Sequence, residues 1–241
     1  YELLDDGSLK GYKAKTKKAT TTPIAKAKAS KSKNKSSEKT ADKYVALTFD
    51  DGPSSFTNRL LDCLEANNSK ATFFMVGKGI DSFPDEVKRM ESLGCELGNH
   101  TYSHVDLTTL APEDMSAEIA GVDEDLVNLV GHGATVLRPP YGNINDSVRS
   151  TVGTPMILWS IDTLDWETQD ASQITEAVMS QVQDGSIILM HDIFSTSVDA
   201  AEIFIPKLIE EGYQLVTIHE LAKIKGTELT TGIAYGDFTG Q

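Results

Sequence analysis

Short apolar runs alternate with amphipathic stretches along most of this chain, and that alternation limits the folds it can adopt. The apolar runs have the length of single strands, and apolar residues recur at helical spacing between them. The strand candidates are YVALTF, ATFFMVG, CELG, TVLRP, MILWSI, SIILMH and YQLVTI. Parallel strands joined by crossover helices produce this pattern. We therefore predict an α/β fold, either a barrel slightly smaller than the eight-fold kind or an open doubly wound sheet.

Charge divides the chain near Lys43 into a basic part and an acidic part. Of 22 basic and 36 acidic residues, 12 and 5 fall in residues 1–43, which leaves 10 and 31 for the rest and net charges of +7 and −21. Residues 1–43 are rich in Lys, Ala, Ser and Thr, so we predict a solvated linker there and a globular domain over residues 44–241. A body this acidic is a poor partner for nucleic acid.

The sequence contains no run of some 18 apolar residues that would span a bilayer. Because the chain starts at Tyr1 rather than Met, we expect an upstream segment, and a membrane anchor within it stays open. Cys63 and Cys95 are either free thiols or one disulfide, and the sequence favours neither. Oligomeric state is not readable from these features.

Polar residues collect at the ends of five strand candidates. Asp50 and Asp51 follow YVALTF, and the other four endings are NHTYSH after CELG, RPPYG after TVL, DTLDW after MILWSI and HD after SIILM. Both candidate architectures bring the carboxyl ends of their strands to one edge. We therefore predict the functional site at that edge.

Two histidines and two acids at these strand ends suggest a metal centre. His100 and His104 are four residues apart, so a helical turn would place both imidazoles on one side, as chelation requires. With one aspartate they form a two-histidine, one-carboxylate set with open positions, which suits zinc, iron or another divalent ion. Since consecutive side chains of an extended backbone diverge, one of Asp50 and Asp51 can bind metal while the other accepts a proton.

The remaining strand ends offer groups for charge stabilisation and proton transfer. Arg138 either holds the base carboxylate or forms an ordinary ion pair, and the amide of Tyr141 can donate to an oxyanion. His191 is either a hydrogen-bonded core histidine or a general acid whose pKa is raised by Asp165. Trp166 is either core or the wall of an apolar pocket.

These residues resemble the carbohydrate esterase family 4 polysaccharide deacetylases, also called the NodB homology domain. The family motifs TFDDGP, HTYSH, RPPYG, DTLDW and ILMH occur in order across about residues 43–225. The resemblance implies a deformed (β/α) barrel of about seven parallel strands. It also implies metal-dependent removal of acetyl groups from N-acetylglucosamine or other acetylated sugars.

The resemblance further implies a role for each matched residue. The metal, with zinc favoured over cobalt or another divalent ion, would be held by Asp51, His100 and His104. The chemistry would fall to the base Asp50, its orienting cation Arg138, the oxyanion donor Tyr141, the general acid His191 and its partner Asp165. The pocket for the acetyl methyl group would be lined by Leu189 and Trp166.

A basic spacer ahead of such a domain resembles bacterial peptidoglycan N-acetylglucosamine deacetylases, so peptidoglycan is the favoured partner and the extracellular cell wall the favoured location. Chitin oligomers and acetylxylan stay open within the family. An aspartate-nucleophile phosphatase would use Asp-x-Asp rather than adjacent acids and has no need of the two histidines. A glycan-binding module without catalysis would lack the base or a ligand. His132 and His219 receive no role.

Overall fold

The computed structural model describes residues 43–240, so the predicted linker lies outside the described residues except for Lys43, which begins the first strand. The strands of this part of the chain are β1 (Lys43–Asp50), β2 (Thr72–Met75), β3 (Glu96–Asn99), β4 (Val136–Leu137), β5 (Met156–Ile157), β6 (Ile161–Asp162), β7 (Ile187–His191), β8 (Tyr213–Val216) and β9 (Ala234–Tyr235). The helices are α1 (Thr57–Ala66), α2 (Gly77–Ser82), α3 (Pro84–Ser92), α4 (Pro112–Val130), α5 (Asp146–Thr151), α6 (Asp165–Thr168), α7 (Ala171–Gln181), α8 (Ser195–Glu210) and α9 (Ile218–Ile224). Leu107–Thr109 and Pro140–Gly142 form 3₁₀ turns.

All strand pairs in the sheet are parallel, as the alternating pattern predicts. The order is β6-β7-β1-β2-β3-β4-β5-β9, and β8 pairs with the first half of β1. β5 and β6 lie near opposite ends of this order, yet only residues 158–160 separate them. A link that short spans about 15 Å at most. The sheet must therefore curl until its two ends approach each other, which confirms the deformed barrel.

The structure has nine strands among the described residues rather than about seven. MILWSI contributes two strands instead of one, because its first half pairs with β4 and β9 while its second half pairs with β7. The short strand β9 adds another near the end of the chain.

The two faces of β1 differ in polarity, and this difference positions the site. Val45, Leu47 and Phe49 pack in the main apolar cluster, which includes residues of α1, α7 and α8. Ala46 belongs to a second apolar cluster, whereas Thr48 and Asp50 are buried beside it on the same side of the strand. The barrel interior is therefore apolar at its amino-terminal end and polar where the strands finish.

Helix α4 begins and ends with residues that suit helix termini. α4 begins with Pro112 in its first turn, where the missing amide hydrogen costs nothing, and ends before Gly131 in a left-handed conformation.

No helix within residues 43–240 is long and apolar enough to cross a lipid bilayer. Cys63 and Cys95 are both free thiols.

Candidate active site

Asp50 and Arg138 form a buried ion pair at the carboxyl edge of the sheet. Arg138 Nη1 donates to Asp50 Oδ1 at 2.7 Å and to Thr48 Oγ1 at 2.8 Å. Arg138 Nε donates to the carbonyl oxygen of Ile157 at 3.1 Å, and Nη2 donates to the carbonyl oxygen of Leu158 at 2.8 Å. Four acceptors, two on β1 and two at the end of β5, therefore fix the guanidinium, which in turn fixes one oxygen of Asp50.

Burial controls the acidity of this carboxyl group. Desolvation raises the pKa of Asp50 above its ordinary value, while the charges of Arg138 and His191 oppose that rise. The guanidinium stays charged, because arginine is not deprotonated in proteins. Asp50 is therefore a carboxylate that is more basic than a free one and is held in a single orientation.

Asp51 turns away from Asp50 because the backbone kinks between them. Asp51 has a φ of 70°, in the left-handed region, so the predicted divergence comes from a turn rather than from continued extended backbone. Its Oδ1 lies 3.3 Å from Nε2 of His104 and 3.5 Å from Nε2 of His100. This oxygen is buried and accepts no hydrogen bond from the described residues.

His100 and His104 lie on a loop, so the prediction that a helical turn aligns them is wrong. Thr101 and His104 have φ values of 66° and 55°, which fold the loop back on itself and bring the two ring centroids to 4.9 Å. Glu118 of α4 holds the loop, accepting from the amide of Ser103 at 2.8 Å and from its hydroxyl at 2.6 Å. The pair is therefore aligned by two left-handed residues and a contact from α4.

The tautomer of His100 follows from its partner. Its Nδ1 lies 2.7 Å from the carbonyl oxygen of Arg138, which can only accept, so Nδ1 carries the proton. Burial lowers the pKa of His100 to about 3, against the opposing charge of Asp51. The ring is neutral, and its free Nε2 lone pair is directed to the side where Asp51 lies, as in a metal ligand.

The three side chains of Asp51, His100 and His104 fit a metal ion. One ligand atom from each lies within 4.8 Å of the other two. A buried carboxylate oxygen without a donor is costly unless a cation or another partner compensates it. Two imidazoles and one carboxylate match a divalent transition metal with positions left open for water or substrate.

His191 is held by Asp165, which lies at the start of α6. His191 Nδ1 donates to Asp165 Oδ1 at 2.8 Å, and the His191 amide donates to Oδ2 at 2.8 Å. Ser197 Oγ also donates to Oδ2, at 2.6 Å. Asp165 is fully buried, so its charge acts on the imidazole with little screening by water.

This environment favours the protonated imidazole. Burial opposes the charge, but the charge and hydrogen bond of Asp165 outweigh it and, with Asp51 and Asp50, raise the pKa of His191 to about 10. A histidine protonated at neutral pH can act as a proton donor through Nε2. His191 is also the register partner of Asp50, so a proton donor and a proton acceptor lie on adjacent strands.

Tyr141 lies beside the histidine loop with its amide free. Its φ of 61° places it in the left-handed region, directly after Pro139 and Pro140. Its ring packs edge-on against His104, with centroids 4.9 Å apart. Within residues 43–240, no oxygen accepts a hydrogen bond from the Tyr141 amide.

Leu189 and Trp166 contribute apolar surface near these groups. Leu189 is buried on β7 and is the register partner of Thr48, so it lies on the interior face of the sheet. Trp166 follows Asp165 in α6 and exposes 36% of its surface. The pair thus comprises one buried aliphatic side chain and one half-exposed aromatic side chain.

Asp192 belongs to this region and was not assigned a role from the sequence. It is fully buried, its Oδ2 accepts from Thr57 Oγ1, and its carbonyl oxygen accepts from Ser54 Oγ at 2.7 Å. Burial raises its pKa to about 7. A Cβ on Gly52 would lie 2.0 Å from Asp192 Oδ1, so only glycine fits there. Two features of the sequence could have pointed to this contact. Asp192 directly follows His191 in HD, and Gly52 directly follows Asp50 and Asp51.

The other two histidines contact different carboxylates. His132 Nε2 lies 3.3 Å from a carboxylate oxygen of Glu91. His219 Nδ1 contacts the carboxylate of Glu96, the first residue of β3. Neither histidine joins the cluster of Asp51 with its two imidazoles.

Comparison with known proteins identifies relatives of this chain. A family model described as polysaccharide deacetylase matches residues 37–154. The chain is 42% identical over 192 residues to the peptidoglycan-N-acetylmuramic acid deacetylase PdaC of Bacillus subtilis, covering 78% of this chain and 41% of PdaC. It is 39% identical over 199 residues to the peptidoglycan-N-acetylglucosamine deacetylase PgdA of Listeria monocytogenes, covering 82% and 42%.

The chain thus spans about two fifths of the length of these curated relatives. A solved family 4 acetyl xylan esterase from Clostridium thermocellum, in complex with a cobalt ion, superposes with a TM-score of 0.77 at 33% identity, covering 81% of this chain and 98% of the esterase chain. Fold, motif order and sequence identity agree, and the chain belongs to the polysaccharide deacetylase family, carbohydrate esterase family 4.

Proposed function

We propose that this protein hydrolyses the acetamide of N-acetylglucosamine residues in bacterial peptidoglycan, at the extracellular cell wall. The observation that supports this most is the register of Asp50 with His191, beside the cluster of Asp51 and its two histidines. Amide hydrolysis needs a base for water, stabilisation of an oxyanion and an acid for the departing amine. This edge of the sheet offers a group for each.

Asp50 is the proposed general base. Its Oδ1 is occupied by Arg138, which leaves Oδ2 for a water proton. Because Arg138 makes four contacts, the carboxylate does not reorient when it accepts the proton. A positioned base of this kind contributes about 10²- to 10⁴-fold to the rate.

Asp51, His100 and His104 are the proposed metal ligands, and zinc is the favoured ion because nitrogen and carboxylate ligands with open positions suit it. When bound, such an ion supplies Lewis acidity that polarises a carbonyl group and acidifies water. His100 is already the neutral tautomer that binding requires, with Nδ1–H fixed by the Arg138 carbonyl.

Tyr141 and His191 complete the proposed chemistry. The free amide of Tyr141 donates to the oxygen that becomes negative as water attacks the acetyl carbon. His191 gives its Nε2 proton to the departing amine, while Asp165 keeps Nδ1–H in place and stabilises the imidazolium. The acid and the base are separate residues, so each has one protonation state to maintain.

Leu189 and Trp166 are the proposed walls for the acetyl methyl group. Leu189 is buried and Trp166 is partly exposed, so we expect the two side chains to offer apolar surface to the methyl group. Apolar walls of this kind would favour acetyl over larger acyl groups by steric exclusion and over formyl groups by apolar contact.

The sugar that loses its acetyl group is proposed from the relatives of this chain. Peptidoglycan is favoured because the relatives at about 40% identity are named for it, one for N-acetylglucosamine and one for N-acetylmuramic acid. The identity to PdaC makes N-acetylmuramic acid the second candidate. The acetyl xylan esterase keeps acetylxylan as an alternative, and chitin oligomers remain a further one.

The test measures acetate release from purified peptidoglycan, chitopentaose and acetylxylan in parallel, with zinc present. Mass spectrometry of muramidase-digested peptidoglycan then assigns the lost acetyl group to one of the two sugars. We expect release from peptidoglycan at the N-acetylglucosamine. Phosphate release from an aryl phosphate without any acetate would instead support a phosphatase, and tight glycan binding without acetate would support a binding module.

A further inference from the structure

We propose that Asp106 and Asn143 are positioning residues whose hydrogen bond fixes the Tyr141 amide relative to His104. The inference rests on the proposed function, since it concerns the oxyanion donor of that reaction. Asp106 lies two residues after His104, and Asn143 lies two residues after Tyr141. The pair therefore connects the loop that contains a proposed metal ligand with the loop that contains the proposed oxyanion donor.

The two carboxylate oxygens of Asp106 accept hydrogen bonds from different loops. Its Oδ1 accepts from the amide of Thr108 at 2.9 Å and from the Thr108 hydroxyl at 2.7 Å. Its Oδ2 accepts from Nδ2 of Asn143 at 2.7 Å. One oxygen thus fixes the side chain within its own loop, and the other extends that fixed geometry across to Asn143.

The conformation of both loops needs support from outside each loop. His104 and Tyr141 have φ values of 55° and 61°, a region that side chains with a Cβ rarely occupy unless their surroundings hold them there. Their rings meet edge-on with centroids 4.9 Å apart. The hydrogen bond from Asn143 to Asp106 is a second link between the same loops, so it restrains their rotation about the ring contact.

The Asn143 side of the link is anchored by α5. Asn145 Oδ1 accepts from the amide of Val148 at 2.9 Å and caps this helix, and Asn145 Nδ2 approaches the carbonyl of Thr108 at 3.4 Å. The segment between Tyr141 and α5 is therefore held at both of its ends. A small rotation of this segment would change the direction of the Tyr141 amide.

The direction of an oxyanion donor matters more in the transition state than in the ground state. A donor must lie at about 2.7–3.1 Å from the developing anion to be effective. Loss of the Asp106–Asn143 bond should therefore lower kcat and leave KM almost unchanged. The bond is exposed to solvent, but its charged acceptor makes it stronger than a neutral pair.

The first test compares kcat and KM for acetate release in three variants. We expect Asn143→Ala to lower kcat about tenfold with KM within about twofold, since one charge-assisted hydrogen bond corresponds to a change of that size. Asn143→Asp places two carboxylates against each other and should lower kcat further. The exchange variant Asp106→Asn with Asn143→Asp restores a donor and an acceptor, and we expect it to recover to within about threefold of wild type.

Asn128→Ala is the matched control, because Asn128 is an exposed asparagine of α4 away from these loops. It should leave kcat unchanged. A kcat of Asn143→Ala within about twofold of wild type, or an exchange variant no better than Asn143→Asp alone, would overturn the positioning role.

The second test does not require activity. Urea unfolding of Asp106→Ala, Asn143→Ala and the double variant forms a double-mutant cycle, and we expect the two effects to be clearly non-additive. Additive effects would show that the bond does not form, whatever the activity. If the wild type released no acetate from any acetylated glycan, the proposed function and the catalytic role of this bond would fail together, while the cycle would still report on the bond itself.

Discussion

Asp50 on β1 and His191 on β7 are register partners in adjacent parallel strands. One is a buried carboxylate paired with Arg138, and the other is an imidazole whose protonated form is stabilised by Asp165. Parallel pairing places both at the same depth along the barrel, next to the cluster of Asp51 and the two histidines. Two strands therefore suffice to bring the proposed proton acceptor and the proposed proton donor to the same edge of the sheet.

Removing the charge of Asp165 should change the pH dependence of turnover. A general acid must be protonated, so activity is retained below the pKa of His191 and is lost as pH rises through it. Asp165 raises this pKa towards about 10. In Asp165→Asn we expect the alkaline limb of kcat to move to lower pH by about one unit or more.

The measurement is kcat for acetate release across the neutral to alkaline range, with metal saturating at each pH. Ser197→Ala is a suitable control, because it removes one neutral donor to Asp165 but keeps the charge. An alkaline limb that stays in place in Asp165→Asn would contradict the assignment of His191 as the acid.

Replacing Arg138 should destabilise the fold as well as reduce activity. Arg138→Met leaves the Asp50 carboxylate buried without its cation, and breaking a buried pair in this way costs about 3–5 kcal/mol. Urea unfolding measures this loss. Arg138→Lys retains a charge but cannot reach four acceptors in a planar arrangement, so we expect an intermediate loss of stability. Equal stability of Arg138→Met and wild type would show that the pair has no structural role.

Gly52→Ala should disturb the turn after the two aspartates. The new methyl group would overlap the buried carboxylate of Asp192, so overpacking should lower the free energy of unfolding by about 1–3 kcal/mol. Metal affinity should also fall, because Asp51 directly precedes Gly52.

Gly153→Ala serves as the control for this glycine, since a Cβ there meets no atom within 4 Å. We expect its stability to remain within about 0.5 kcal/mol of wild type. The two variants are compared by urea unfolding and by calorimetric titration with zinc. Equal behaviour of the two would rule out the steric account of Gly52.

Much of this site could be predicted because parallel sheets bring the carboxyl ends of their strands together. The alternating pattern predicted that topology, and the polar strand ends then had to share one edge. The burial of Asp50 was also predictable, since it follows the largely apolar run YVALTF. These predictions depend only on the period of the sequence and on which residues end each strand.

Other features depend on contacts that a sequence does not display. A spacing of four residues fits a helical turn, but His100 and His104 are aligned by left-handed residues in a loop. MILWSI reads as one strand, yet its halves pair with opposite ends of the curled sheet. Asp192 could not be assigned because its role depends on space left by Gly52, far away along the chain.

Asp50 is proposed to accept a proton during acetate release while Asp51, His100 and His104 bind the metal. The most direct measurement is acetate release from peptidoglycan by Asp50→Asn, with zinc content determined on the same samples. We expect turnover to fall about 10²- to 10⁴-fold while about one equivalent of zinc is retained. Turnover near the wild-type rate would contradict the assignment of Asp50 as the base.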